Sequence, residues 1–227
     1  MPEFIADAEV IAQAAMQLVS PLLVDKYAVL IRFLVSNPDA ASKMKGKGAP
    51  AIGSETYIRD QAAIFASSRH PKAPAPPATV PDELVSFILH EYFGIPVKNL
   101  ARASREHLLS MAAENLVGDL LERYLASVME PQGWVWCSGS MVRAVDFIKP
   151  PTAKGNRWGL LQVKNRDNSE NSSSSAIRIG TDIQKWFRTF SKKTGSNWAA
   201  FPDEAVCPLL SEQAFLVFVK DYLVALK

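Results

Sequence analysis

Two short apolar runs, Met141 to Ile148 and Trp158 to Val163, flank the turn-forming stretch Lys149-Pro150-Pro151-Thr152-Ala153-Lys154-Gly155-Asn156-Arg157. Both runs are rich in β-branched and aromatic residues, so the spacing predicts a β-hairpin. Alternation along its second strand sends Gln162 and Lys164 to one face and Leu161 and Val163 to the other. Asp146, near the end of the first strand, then comes close to both polar side chains. A carboxylate and an amide oxygen can hold a hard divalent cation, and an ammonium can orient water or stabilise developing charge, which is what phosphodiester hydrolysis requires. The plainer reading is that Lys164 ends a strand and snorkels to water while Asp146 faces solvent.

Upstream, Ala113 to Leu125 has helical periodicity, with Leu116, Leu120, Leu121 and Leu125 near one face and Glu114, Gly118 and Glu122 sharing another. Asp146, a hairpin's worth of residues and Gln162-x-Lys164 together resemble the PD-(D/E)XK nuclease signature. That signature is shared by many type II restriction endonucleases, archaeal Holliday-junction resolvases and Mrr-like nucleases. The resemblance covers roughly Ala113 to Phe190 and implies an α/β fold with a restriction-endonuclease-like core, a mixed central sheet flanked by helices. It further implies Mg²⁺ as cofactor, Asp146 and Gln162 as metal ligands, and Lys164 placing the attacking water. In this superfamily the helix before the hairpin often carries a glycine and a glutamate that approaches the metal. Gly118 and Glu122 match that spacing, and Glu114 competes. A solvated helix face with Glu122 paired to a nearby Arg or Lys is the alternative for either glutamate. Gln162 departs from the pattern, standing where Asp or Glu is usual. A neutral amide supplies an oxygen without charge, so Asp146 and a helix glutamate must supply most of the negative charge.

After the second strand, Asn165 to Arg178 is almost wholly polar and serine-rich. It starts where the strand carrying Lys164 ends, which would lay it against substrate. Asn and Arg bond bidentately to adenine and guanine edges, and Ser donates to bases or phosphates. Asn165, Arg166, Asn168, Asn171, Ser172, Ser173 and Arg178 are therefore candidate DNA contacts, and Lys185 follows them. The segment resembles the corresponding region of SinI-like type II restriction endonucleases, which cut a five-base-pair GGWCC-type site. The rival reading is a disordered tether that touches nothing.

The rest of the chain narrows the choice. A formal net charge of +2 is mild, yet a nuclease needs only a basic cleft, and an acidic metal site offsets some lysines. Cys137 and Cys207 form no CxxC, and His70, His90 and His107 show no ligand spacing, which argues against zinc, His-based nucleases and Cys-His hydrolases. No phosphate-binding glycine loop is present, so no nucleotide cofactor is expected. Ala6-Asp7-Ala8-Glu9 interrupts any signal-peptide core and no run is long enough to span a bilayer, so a cytoplasmic location without membrane contact is expected.

At 227 residues the chain can bury a sizeable core, and it divides into a mainly helical N-terminal region, 1–112, and a nuclease core, 113–227. Apolar spacing predicts two helices between Ile5 and Val35, broken at Ser20-Pro21. Lys43, Lys45 and Lys47 stand on a glycine-containing loop able to follow a phosphate backbone, or simply to be solvated. A proline-rich linker at 71–81 precedes a helix with Leu84, Phe87, Ile88 and Tyr92 along one side. Ser104 reads as the N-cap of the next helix. A helix is expected from Thr181 to Lys192, and Ala214 to Val219 reads as a strand or a buried helix.

Taken together, these features predict a Mg²⁺-dependent endonuclease cutting double-stranded DNA at a short palindromic site. A twofold site implies a homodimer. The alternatives are a resolvase, Mrr-like or repair nuclease of the same core, or a DNA-binding protein in which Gln162 records loss of the metal site.

Overall fold

The computed structural model describes residues 2–80, 82–152, 157–167 and 182–227. Among these, a four-stranded mixed sheet lies between two helical layers. Its strands are β1 (Val135–Trp136), β2 (Phe147–Lys149), β3 (Gly159–Arg166) and β4 (Gln184–Thr189), in that spatial order. The pairs β1/β2 and β2/β3 are antiparallel and β3/β4 is parallel. The expected hairpin is present as β2 and β3, with Phe147 opposite Leu161. Its first strand is shorter than the apolar run suggested, because Val142 instead forms an isolated bridge with Ala41.

Helices α1 (Ala8–Val19) and α2 (Val24–Ser36) confirm the break at Pro21. A helix not anticipated from the sequence, α3 (Glu55–Ser67), is capped by the Ser54 hydroxyl, which accepts from the Tyr57 N–H. These three helices bury Met16, Tyr27, Leu30, Ile31, Tyr57 and Phe65 against Val135, Cys137 and Ile148 on one face of the sheet. On the other face, Leu161, Val163 and Trp186 pack with Leu120, Leu121 and Leu125 of α5 (Val97–Met129) and with Phe215 of α6 (Glu212–Ala225). The sheet residues alternate between the two cores as strand geometry requires.

Two expectations are corrected. The segment expected as a helix from Thr181 to Lys192 contains strand β4, with Thr181 itself outside the described residues. Ile183, Trp186, Phe187 and Phe190 mimic a helical stripe, but pairing of Trp186 with Val163 decides for strand. Ser104 caps nothing, because α5 starts at Val97 and runs on through positions 112 and 113 without a break. The helix after the proline-rich stretch, α4 (Glu83–Glu91), forms as expected with Asp82 as cap, but it buries none of its residues. The C-terminal apolar stretch resolves as helix α6. No helix among the described residues is long and apolar enough to cross a membrane.

Glu130 ties the layers together. Its carboxylate accepts from Lys26 of α2, from Arg69 just after α3 at 2.8 Å and from the Trp136 N–H of β1 at 3.2 Å. Burial alone would raise this carboxyl, yet the hydrogen bonds and charges of Arg69 and Lys26 bring it below the ordinary glutamate value. A depressed carboxyl contributes stability above the ordinary value and loses it as pH falls through the folded one. Glu130→Ala is expected to cost about 3 kcal/mol, because it strands a largely buried Arg69. Urea unfolding checks this, and the deficit should be full at neutral pH and shrink below about pH 4.

Candidate active site

Asp146 continues the β2–β3 register one residue beyond Phe147–Leu161, which sets it beside Gln162. Its N–H donates to the Leu161 carbonyl at 2.9 Å, and its Oδ2 accepts from the Val163 N–H at 2.7 Å. The carboxylate is thereby fixed in orientation by the strand that carries Gln162 and Lys164. Gln162 is buried, and Lys164, two residues on, is half-buried on the same face.

Helix α5 supplies the opposite wall. Its Asn115, Gly118, Asp119 and Glu122 recur at helical spacing and line one cleft of about 750 Å³ with Asp146, Gln162 and Lys164. Glu122 Oε2 accepts from the Trp136 indole N–H at 3.0 Å. Glu114 points elsewhere, into the adjoining groove. Of the two candidate glutamates, Glu122 is therefore the one that shares a cleft with Asp146.

The two cleft carboxyls are both perturbed. Burial pushes the Glu122 carboxyl up, and the neighbouring Asp146 charge pushes it further. Asp146 is also raised by burial, against the Val163 N–H and the Lys164 charge, which lower it. Two buried acids raised in this way hold their protons more tightly, and a divalent cation in the cleft would favour their charged forms. No three His, Cys, Asp or Glu among the described residues form a metal-holding group. The donors this cleft could offer are instead two carboxylates and the Gln162 amide oxygen, a set that would suit a hard cation keeping several waters. At Gly118 an added Cβ would meet nothing within 4 Å, so α5 leaves open space on the cleft side.

The loop between β1 and β2 forms the rim. Ser140 (φ 55°) and Ala144 (φ 59°) are both non-glycine residues in the left-handed region, a strained conformation of the kind found at functional sites. Between them Arg143 is held by its N–H to the Ala40 carbonyl at 2.8 Å. Arg143, Ser42, Gly139 and Ser140 line both the central cleft and a second groove of about 980 Å³ that contains Lys43 and Lys45. Lys47 is exposed farther along the same loop.

On the other side Asn115 and Lys164 are shared with a third groove of about 790 Å³, lined by Asn165, Arg166, Arg188 and Thr189. The Arg188 Nε–H donates to the Asn165 amide oxygen at 3.0 Å, so Asn165 helps to hold that arginine. Lys185 is half-buried on β4 next to Gln162. Asn168, Asn171, Ser172, Ser173 and Arg178 lie outside the described residues. Sequence reasoning missed Asn115, Trp136 and Arg143. The i, i+3, i+7 spacing of Asn115, Gly118 and Glu122 was the available signal for the first, and nothing local marked the other two.

Comparison with known proteins gives the family. The SinI restriction endonuclease family model matches residues 8–225. The type II restriction enzyme Eco47I of Escherichia coli is 53% identical over 222 residues, covering 97% of this chain and 96% of that protein. The type II restriction enzyme SinI of Salmonella infantis is 51% identical over 225 residues, covering 99% and 97%. With near-complete coverage on both sides, the chain belongs to the SinI restriction endonuclease family.

Proposed function

We propose that the central cleft hydrolyses phosphodiester bonds of duplex DNA with Mg²⁺, and that the protein is the site-specific endonuclease of a restriction-modification pair. The observation that carries this reading is continuity. The groove with Lys43, Lys45 and Arg143, the cleft with Asp146, Glu122, Gln162 and Lys164, and the groove with Arg166 and Arg188 share residues and form one path. Basic side chains thus flank an acidic centre on both sides, as a polyanion reaching a metal site needs.

In this reading Asp146, Gln162 and Glu122 hold the cation. The chemistry these residues would gain from a bound Mg²⁺ is Lewis-acid polarisation of a phosphate and a more acidic water. Trp136 and the Val163 N–H keep the two carboxylates oriented. Lys164 places the attacking water and offsets charge building on the phosphate. Arg166, Lys185 and the residues from Asn168 to Arg178 read base edges, while Lys43, Lys45 and Lys47 hold phosphates. A site of the GGWCC type is palindromic apart from its centre, so two copies related by a twofold axis cut the two strands. Such an enzyme works on DNA in the cytoplasm.

Plasmid digestion with Mg²⁺, followed by sequencing of the fragment ends, tests this. Discrete fragments whose ends fall in one five-base-pair motif are expected. Cleavage confined to branched DNA, or specific binding without any cleavage, would contradict it and favour a resolvase-type or an inactive binding protein.

A further inference from the structure

The hairpin made by α4 and the first half of α5 lacks a core of its own. No residue from Asp82 to Met111 is buried, although this stretch contains eight exposed large apolar side chains between Leu84 and Leu109. Leu84, Phe87 and Ile88 recur at i, i+3 and i+4 and are 60%, 59% and 45% exposed, and Tyr92 at the hairpin tip is 82% exposed. An amphipathic stripe of this width normally faces packed protein. Behind it, a cavity of about 500 Å³ between the two helices is lined by Val85, Leu89, Leu108 and Met111. The eight side chains present apolar surface on the order of 700 Å², close to the roughly 800 Å² that each partner contributes to a standard interface.

The charge pattern says what covers it. Helix α4 with its cap carries Asp82, Glu83 and Glu91, whereas the exposed first turns of α5 carry Lys98, Arg102 and Arg105 against Glu106 alone. A twofold axis that lays α4 on α5 of a second copy pairs acid with base twice and closes both apolar stripes into a four-helix bundle. We infer that the α4–α5 hairpin is the dimerisation element of this enzyme, and that its partner is the same hairpin of a second copy. The inference rests on the two-strand cleavage proposed above. The long α5 then connects the interface directly to Glu122 in the cleft.

Sedimentation of the full-length protein without DNA, at micromolar concentration, is the test. The wild type is expected at twice the 24.9 kDa chain mass. Phe87→Arg/Tyr92→Arg is expected to weaken the dimer by on the order of 10²-fold or more, while the circular dichroism spectrum of the folded chain stays unchanged, since both residues already face solvent in it. Leu216→Arg on the exposed face of α6 should leave the dimer intact. A monomeric wild type, a dimer that survives the double substitution, or a dimer broken by Leu216→Arg instead would each overturn the inference. These outcomes are separable from the proposed chemistry, because a monomer that yields discrete fragments refutes the interface and leaves the hydrolysis standing, and a dimer that cuts nothing refutes the hydrolysis and leaves the interface standing.

Discussion

Asp146→Asn is expected to slow cleavage on the order of 10³-fold or more, because losing the carboxylate proposed to hold the metal would remove several kcal/mol of transition-state stabilisation. Asparagine keeps an oxygen for the Val163 N–H, so the strand geometry should survive. It also removes one of two mutually repelling buried acids, so without metal the variant should melt no lower than wild type. Specific DNA binding should be largely retained, since the proposed base readout uses residues other than Asp146. Single-turnover rates on a specific duplex, with gel-shift titration in Ca²⁺ alongside, check both parts. A rate within tenfold of wild type would remove Asp146 from the site. Lys164→Met should cost about 10²–10³-fold in the same assay, as loss of one electrostatic stabiliser does.

The second large effect separates two glutamates one turn of helix apart from Gly118. Glu122→Gln should reduce the cleavage rate by about 10²-fold, whereas Glu114→Gln should stay within about threefold. The basis is placement alone, because Glu122 shares the cleft with Asp146 and bonds Trp136 while Glu114 lines the neighbouring groove. Equal losses in both variants would mean that α5 turns on binding DNA so that Glu114 also reaches the centre.

Much of this centre was legible before any coordinates, for a definite reason. Strand alternation is a period of two, so Gln162 and Lys164 had to share a face, and a hairpin had to bring Asp146 beside them. The choice between Glu114 and Glu122 was not legible. It depends on the rotational phase of α5 against the sheet, which Leu120, Leu121 and Leu125 set by packing on Leu161 and Trp186, residues far away in sequence. Trp136 and Arg143 reach the site through tertiary contacts only. Helix α3 was missed although Ser54, Tyr57, Ile58, Gln61 and Phe65 carry a cap and a stripe, because polar residues dilute the pattern. Strand β4 was misread because Ile183, Trp186, Phe187 and Phe190 satisfy a helical spacing, and six residues are too few to separate the two periods. The apolar stripe of α4 was read correctly as a stripe, but whether a core within one chain covers it could only be seen in three dimensions.

Whether Asp146, Glu122 and Gln162 form one metal site is measured most directly by calorimetric titration of Mg²⁺ or Mn²⁺ into the enzyme bound to an uncleavable duplex. Wild type, Glu114→Gln and Lys164→Met should bind the cation, Glu122→Gln should bind it more weakly, and Asp146→Asn should not bind it over the same range. Unchanged metal affinity in Asp146→Asn would contradict the assignment of this cleft as the active centre.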